Sequence, residues 1–132
     1  MRIRNVAMAS ALVAAAVLFS LAPSGSAETA ARQTAVVTFQ DPVAINGTFV
    51  MGKVKIVHDE ERMARGEPCT QVFQVVEGRE PQELVAVHCK RVSRPVADQL
   101  TLALRTTDPS YRILTAYQFA GTDHAHQLVL GR

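Results

Sequence analysis

His58, Asp59, Met63, Cys69, His88 and Cys89 concentrate soft and titratable side chains in one stretch of the chain. Imidazole, thioether and thiolate are the ligand set of copper and of haem iron. The same two cysteines also read as a disulfide, which comes first for an exported chain with an even pair. The residues alone leave both readings open. The spacing matches no established metal pattern. The blue-copper order, one cysteine shortly before a histidine and a methionine, is absent.

Asp123-His124-Ala125-His126 is a second metal candidate. In a strand, His124 and His126 point the same way and can share an ion; in a loop they are merely solvated. Lys90, Arg91 and Arg94 form a small basic patch, which reads as a solvated connection between strands. Ser93 and Ser110 stand in no nucleophile elbow. The chain carries no Cys-x-x-Cys, no phosphate loop and no Gly-x-Gly-x-x-Gly. These features favour a binding or accessory module, with an unknown protein or small molecule as partner, over an enzyme. A periplasmic metal or redox protein is the alternative, and a hydrolase with a scattered site is the third.

The elements that must position these residues are strands. Residues 34–39 are β-branched, Asp41-Pro42 interrupts them, and residues 43–45 lead into Asn46-Gly47, a strong hairpin signal. That turn also accounts for the glycosylation sequon at Asn46-Gly47-Thr48. Residues 48–58 alternate, with Val50, Val54, Ile56 and His58 on one face, and Gly52 marks a bulge or a close approach. Residues 59–68 are a charged loop or one helical turn. Residues 70–76 and 83–90 predict a hairpin that sets Cys69 opposite Cys89, Gln71 opposite Val87 and Phe73 opposite Val85. That register gathers His58, Asp59, Met63, His88 and the cysteines at one end of the sheet. Residues 99–106 alternate, with Leu100, Leu102 and Leu104 inward. Residues 111–119 place Tyr111, Ile113, Tyr117 and Phe119 on one face, and residues 126–130 close the chain. The expected fold is all-β, a small antiparallel sandwich or barrel of about seven or eight short strands with one disulfide. A bridge closing a loop of about 20 residues is worth roughly 3 kcal/mol.

The first residues read as an export signal. Arg2 and Arg4 precede an apolar run from Val6 to Leu21, Pro23 breaks it, and Gly25-Ser26-Ala27 supplies the small residues of a cleavage site. The expected division is a cleaved signal at 1–27, a flexible leader at 28–33 and one β domain at 34–132. Cleavage after Ala27, with Ala30 or Ala31 as alternatives, shortens the chain from 132 to 105 residues. Removing Arg2 and Arg4 takes the formal charge from +2 to zero, with 12 basic residues against 12 acidic ones. A neutral domain lacks the positive field that nucleic-acid binding needs. No further long apolar run follows, so no membrane association is expected after cleavage.

His58-Asp59, then Met63-Ala64-Arg65-Gly66-Glu67-Pro68-Cys69-Thr70, then His88-Cys89, resembles a pattern in short exported bacterial β proteins of unassigned role. The resemblance spans residues 58–89. It implies an exported domain, periplasmic or secreted, and carries no activity. N-terminal sequencing of the exported protein is expected to begin near Glu28. A mature form that retains Val6 to Leu21 in a membrane fraction would overturn the signal.

Overall fold

A computed structural model describes residues 31–131, and the fold is all-β. Eight strands are present among the described residues: β1 Arg32–Ile45, β2 Thr48–Asp59, β3 Thr70–Gln74, β4 Gln82–Val87, β5 Cys89–Ser93, β6 Thr101–Asp108, β7 Tyr111–Gln118 and β8 His124–Leu128. One short helix, α1 (Glu60–Ala64), follows β2. The cleaved signal expected at residues 1–27 lies outside the described residues. So do residues 28–30 of the expected leader; β1 already begins at Arg32, where Arg32 and Gln33 pair with Asp59 and His58. Among the described residues no helix is long and apolar enough to cross a membrane.

The sheet runs β4-β3-β2-β1-β7-β8-β5, with β6 on the remaining edge of β7. It consists of two antiparallel halves in chain order, β1–β4 and β5–β8. The join between them is parallel, through Val43 opposite Arg112 and Ala44 opposite Ile113. The wholly antiparallel sheet expected from sequence is therefore mixed. The long passage from β1 to β7 permits a parallel neighbour, which a tight hairpin does not.

The ends of this path, β4 and β5, are separated in the chain by His88 alone. β6 pairs with β7 along its length, so β1 and β8 share the other edge of β7, at Arg112–Ile113 and at Ala116–Tyr117. Residues 87 and 89 can be no more than about 7.6 Å apart, so β4 and β5 also stay close. The sheet curls into a half-barrel with the core inside. Ile45, Val54, Ile56, Val72, Leu114 and Tyr117 are fully buried there.

Three irregularities decide which side chains face that core. Between Phe39 (opposite Gly52) and Val43 (opposite Val50), β1 carries extra residues. Pro42, with no N–H to donate, sits in this bulge, so Asp41-Pro42 bends β1 without ending it. In β7, Ala116 and Leu114 face the consecutive residues Ala103 and Leu104 of β6. The extra residue, Thr115, resets the alternation. Tyr117 and Phe119 point into the core as expected, while Tyr111 and Ile113 line the opposite face. Leu104, expected inward, is 36% exposed on this same edge strand.

The third concerns the expected 83–90 strand, which is two strands. Val87 faces Thr70 and Val85 faces Val72, one residue away from the register predicted. A one-residue slip exchanges the faces. Val72 is therefore buried, and Phe73 turns outward beneath Lys55, whose Nζ lies 5.2 Å from the ring centroid. The chain then leaves β4 at His88 and pairs as β5 with β8. Cys69 and Cys89 are bonded, not as opposed hairpin residues but across the seam between the halves, with Cα atoms 6.0 Å apart.

The β1–β2 turn is the tight one expected, with Asn46 at φ 49° and Gly47 at φ 90°. A Cβ on Gly47 would meet nothing within 4 Å, so any cost of a side chain there comes from the backbone. Gly47→Val is expected to destabilise the domain by about 1–3 kcal/mol, measured by denaturant unfolding. Unchanged stability would contradict the positive-φ turn.

Candidate functional site

The inner face of the half-barrel is polar at one end. His58 follows Val54 and Ile56 in the inward alternation of β2, and His126 precedes Leu128 in that of β8. Each histidine is 1% exposed. Their rings stack, with centroids 3.7 Å apart and planes 23° apart. Tyr117 and Phe119 flank His126 at 5.2 and 5.9 Å between centroids. Thr70, opposite His58 on β3, shares a 2.6 Å hydrogen bond with the Tyr117 hydroxyl. A ring nitrogen of His58 and the sulfurs of Cys69 and Cys89 all lie within 4.8 Å of one another.

The histidine stack, the Thr70–Tyr117 hydrogen bond and the approach of His58 to Cys89 join the first half of the sheet to the second. Glu60 adds another from the surface, accepting from Arg91 Nη2 at 2.7 Å, and its Oε2 lies 3.9 Å from His58 Nδ1. Arg91 of the basic patch therefore ties β5 to the first turn of α1.

Among the described residues, His58 Nε2 and both ring nitrogens of His126 are buried without a hydrogen-bond partner. Burial pushes the His126 imidazole down to about 3, and the neighbouring His58 adds to this. Burial also lowers His58, with Glu60 opposing the shift. The Tyr117 phenol is pushed up by burial. At neutral pH the pair is thus two uncharged, buried imidazoles beside a disulfide. Such nitrogens can accept a proton or ligate a cation. The sulfurs cannot ligate while bonded to each other, because the thiolate is the metal ligand.

The structure treats the sequence candidates differently. It brings His58 to Cys69 and Cys89. Asp59 stands next to His58 but caps α1, accepting from the amides of Glu61 at 2.9 Å and Arg62 at 3.1 Å. Met63 packs half-buried against the core. The His88 side chain is exposed, and the residue serves as the link between halves, its carbonyl accepting from Val129 N at 2.8 Å. The second candidate merges with the first: His124 lies within β8, and His126 stacks on His58. Sequence reasoning started the last strand at His126 and so kept the two candidates apart. The period-two spacing of His124 and His126 was the available signal.

A second feature lies on the outer face. Phe49 faces Ala44, Ala44 faces Ile113, and Ile113 faces Arg105, a single row across β2, β1, β7 and β6. Tyr111 meets Phe49 edge-on at 5.0 Å. With Leu130 they line an open cleft of about 610 Å³. No family model, curated protein or solved structure matches the chain.

The sign of the acid response follows from the histidine pair. His126 titrates near 3 folded against an ordinary 6.5. Below pH 6.5 the unfolded chain takes up a proton that the folded chain refuses, so stability is full above that pH and falls toward pH 3. Arg91 and His124 reinforce the effect, while Glu60 and Asp59 moderate it at His58. By pH 5, His126 alone is expected to cost on the order of 2 kcal/mol. His126→Phe keeps a ring in the stack and should flatten the decline between pH 6.5 and 5 in denaturant titrations. An unaltered decline would exclude His126 as its source.

Proposed function

We propose that this protein is an exported, disulfide-stapled binding module whose outer cleft takes a small amphipathic anion. The observation that carries the reading is the Phe49–Ala44–Ile113–Arg105 row: an apolar floor ending in a guanidinium. Phe49 is 59% exposed although it is large and apolar. Among the described residues Arg105 has no ion-pair partner. An apolar cleft of a few hundred Å³ with one fixed polar group is the usual form of a small-molecule site. The planar guanidinium recognises a carboxylate or phosphate through paired hydrogen bonds. An anion with an alkyl body satisfies both parts of the cleft. The signal-like layout of residues 1–27 and the disulfide both suit an oxidising compartment.

The chain has no tryptophan, so binding is best followed by amide NMR. Decanoate is expected to shift the Ala44, Arg105 and Ile113 amides saturably, and more tightly than decanol. Phe49→Ala should weaken both ligands, and Arg105→Gln should abolish the preference for the acid. Shifts that do not saturate, or that map away from this row, would refute the cleft as a ligand site.

A further inference from the structure

We propose that opening the Cys69–Cys89 disulfide creates a metal site in which both cysteine sulfurs, His58 and His126 bind one thiophilic cation, Zn²⁺ or Cu⁺. This site lies on the inner face, apart from the outer cleft, and does not depend on it.

The donor set argues for it first. Two thiolates and two neutral imidazoles are a common complement for a closed tetrahedral zinc site. A Zn–S distance of about 2.3 Å sets tetrahedral donors roughly 3.5–4 Å apart. Both sulfurs and a His58 nitrogen already lie within 4.8 Å of one another, so rotation of side chains completes the approach. His126 lies outside that group of three, and its ring must turn out of the stack on His58 to bring a lone pair to the ion as the fourth donor.

The independent observation is the unsatisfied nitrogens. His58 Nε2 and His126 Nδ1 and Nε2 are buried with no partner, and native structures rarely leave such atoms unpaired. A bound cation gives each ring one. At His58, Nε2 is left inside while Nδ1 lies 3.9 Å from Glu60, so a small approach of that carboxylate would supply the hydrogen bond that usually supports a ligating imidazole.

The chemistry balances with a dithiol as reductant. The dithiol supplies two electrons and two protons, becomes a disulfide, and leaves Cys69 and Cys89 as thiols. The cation then displaces both thiol protons and bonds to the two thiolates. A small-molecule disulfide acting as oxidant takes two electrons and two protons from the apo dithiol, becomes two thiols, and restores the staple. The two states exclude each other, because the same sulfurs serve both.

The test uses the mature protein, reduced with a phosphine and freed of reductant under anaerobic conditions. Co²⁺ is titrated as a spectroscopic probe, and Zn²⁺ affinity is measured against a chromophoric chelator. The reduced protein is expected to take up one equivalent, with thiolate-to-cobalt charge transfer and tetrahedral d–d bands; the oxidised protein should show neither. His58→Gln and His126→Gln should each weaken Zn²⁺ by about 10-fold or more and alter the d–d bands. His88→Ala and Met63→Leu should change neither. Equal binding by oxidised protein, no binding by folded reduced protein, or full affinity in both glutamine variants would overturn the site. If the reduced apoprotein unfolds, circular dichroism reads the same titration: refolding at one equivalent supports the proposal, and a chain that stays unfolded refutes it.

Discussion

The passage through His88, one residue long, is the constraint on which this structure depends. It obliges the strand that ends the first half to lie beside the strand that begins the second. β1 and β8 share one edge of β7, and the sheet curls into a half-barrel around that link. On the far side, the halves meet through a parallel ladder of only two residue pairs. So short a ladder holds little by itself. Side chains add further connections, among them the disulfide, the histidine stack, the Thr70–Tyr117 hydrogen bond, the Arg91–Glu60 pair and the Phe49–Tyr111 contact.

Both candidate sites lie on that junction, one on each face. The inner site faces Tyr117 and Phe119, and the outer cleft uses Tyr111 and Ile113. These four residues belong to one short segment around β7. The extra residue at Thr115 makes the division possible, because an uninterrupted strand would put all four on the same side. The inner end has the more costly composition. Two histidines, a threonine and a tyrosine occupy space that apolar side chains would fill without penalty. The disulfide offsets part of that cost by restricting the unfolded chain.

Much of this was legible in the residues. The alternation placed His58 on one face with Val50, Val54 and Ile56, the face that is buried, and Asn46-Gly47 located the first turn. The cysteine pair was read as a bond, and the fold as all-β. The register of β3 with β4 was missed, because Val72 and Phe73 are both apolar and either suits a core; only the packing shows that Val72 takes it. The break at His88 was invisible because residues 83–90 read as one continuous strand. The bulge at Thr115 was likewise hidden, since a bulge is set by the partner strand and not by its own residues. His126 reaches His58 only after the sheet curls, and no linear spacing records that contact.

The two-half arrangement also bears on how the chain assembles as it is made. Synthesis from the N-terminus completes β1–β4 as a local meander before β6, β7 and β8 exist, and N-terminal units generally fold first. That unit contains Cys69, and Cys89 emerges just past its last strand. In an oxidising compartment entered N-terminus first, the two sulfurs can thus meet before His126 and Tyr117 arrive. The bond then anchors the start of β5 as a fixed edge on which β8 can be laid once it emerges. In that order of events the staple is a template for the second half as well as a clasp on the finished barrel.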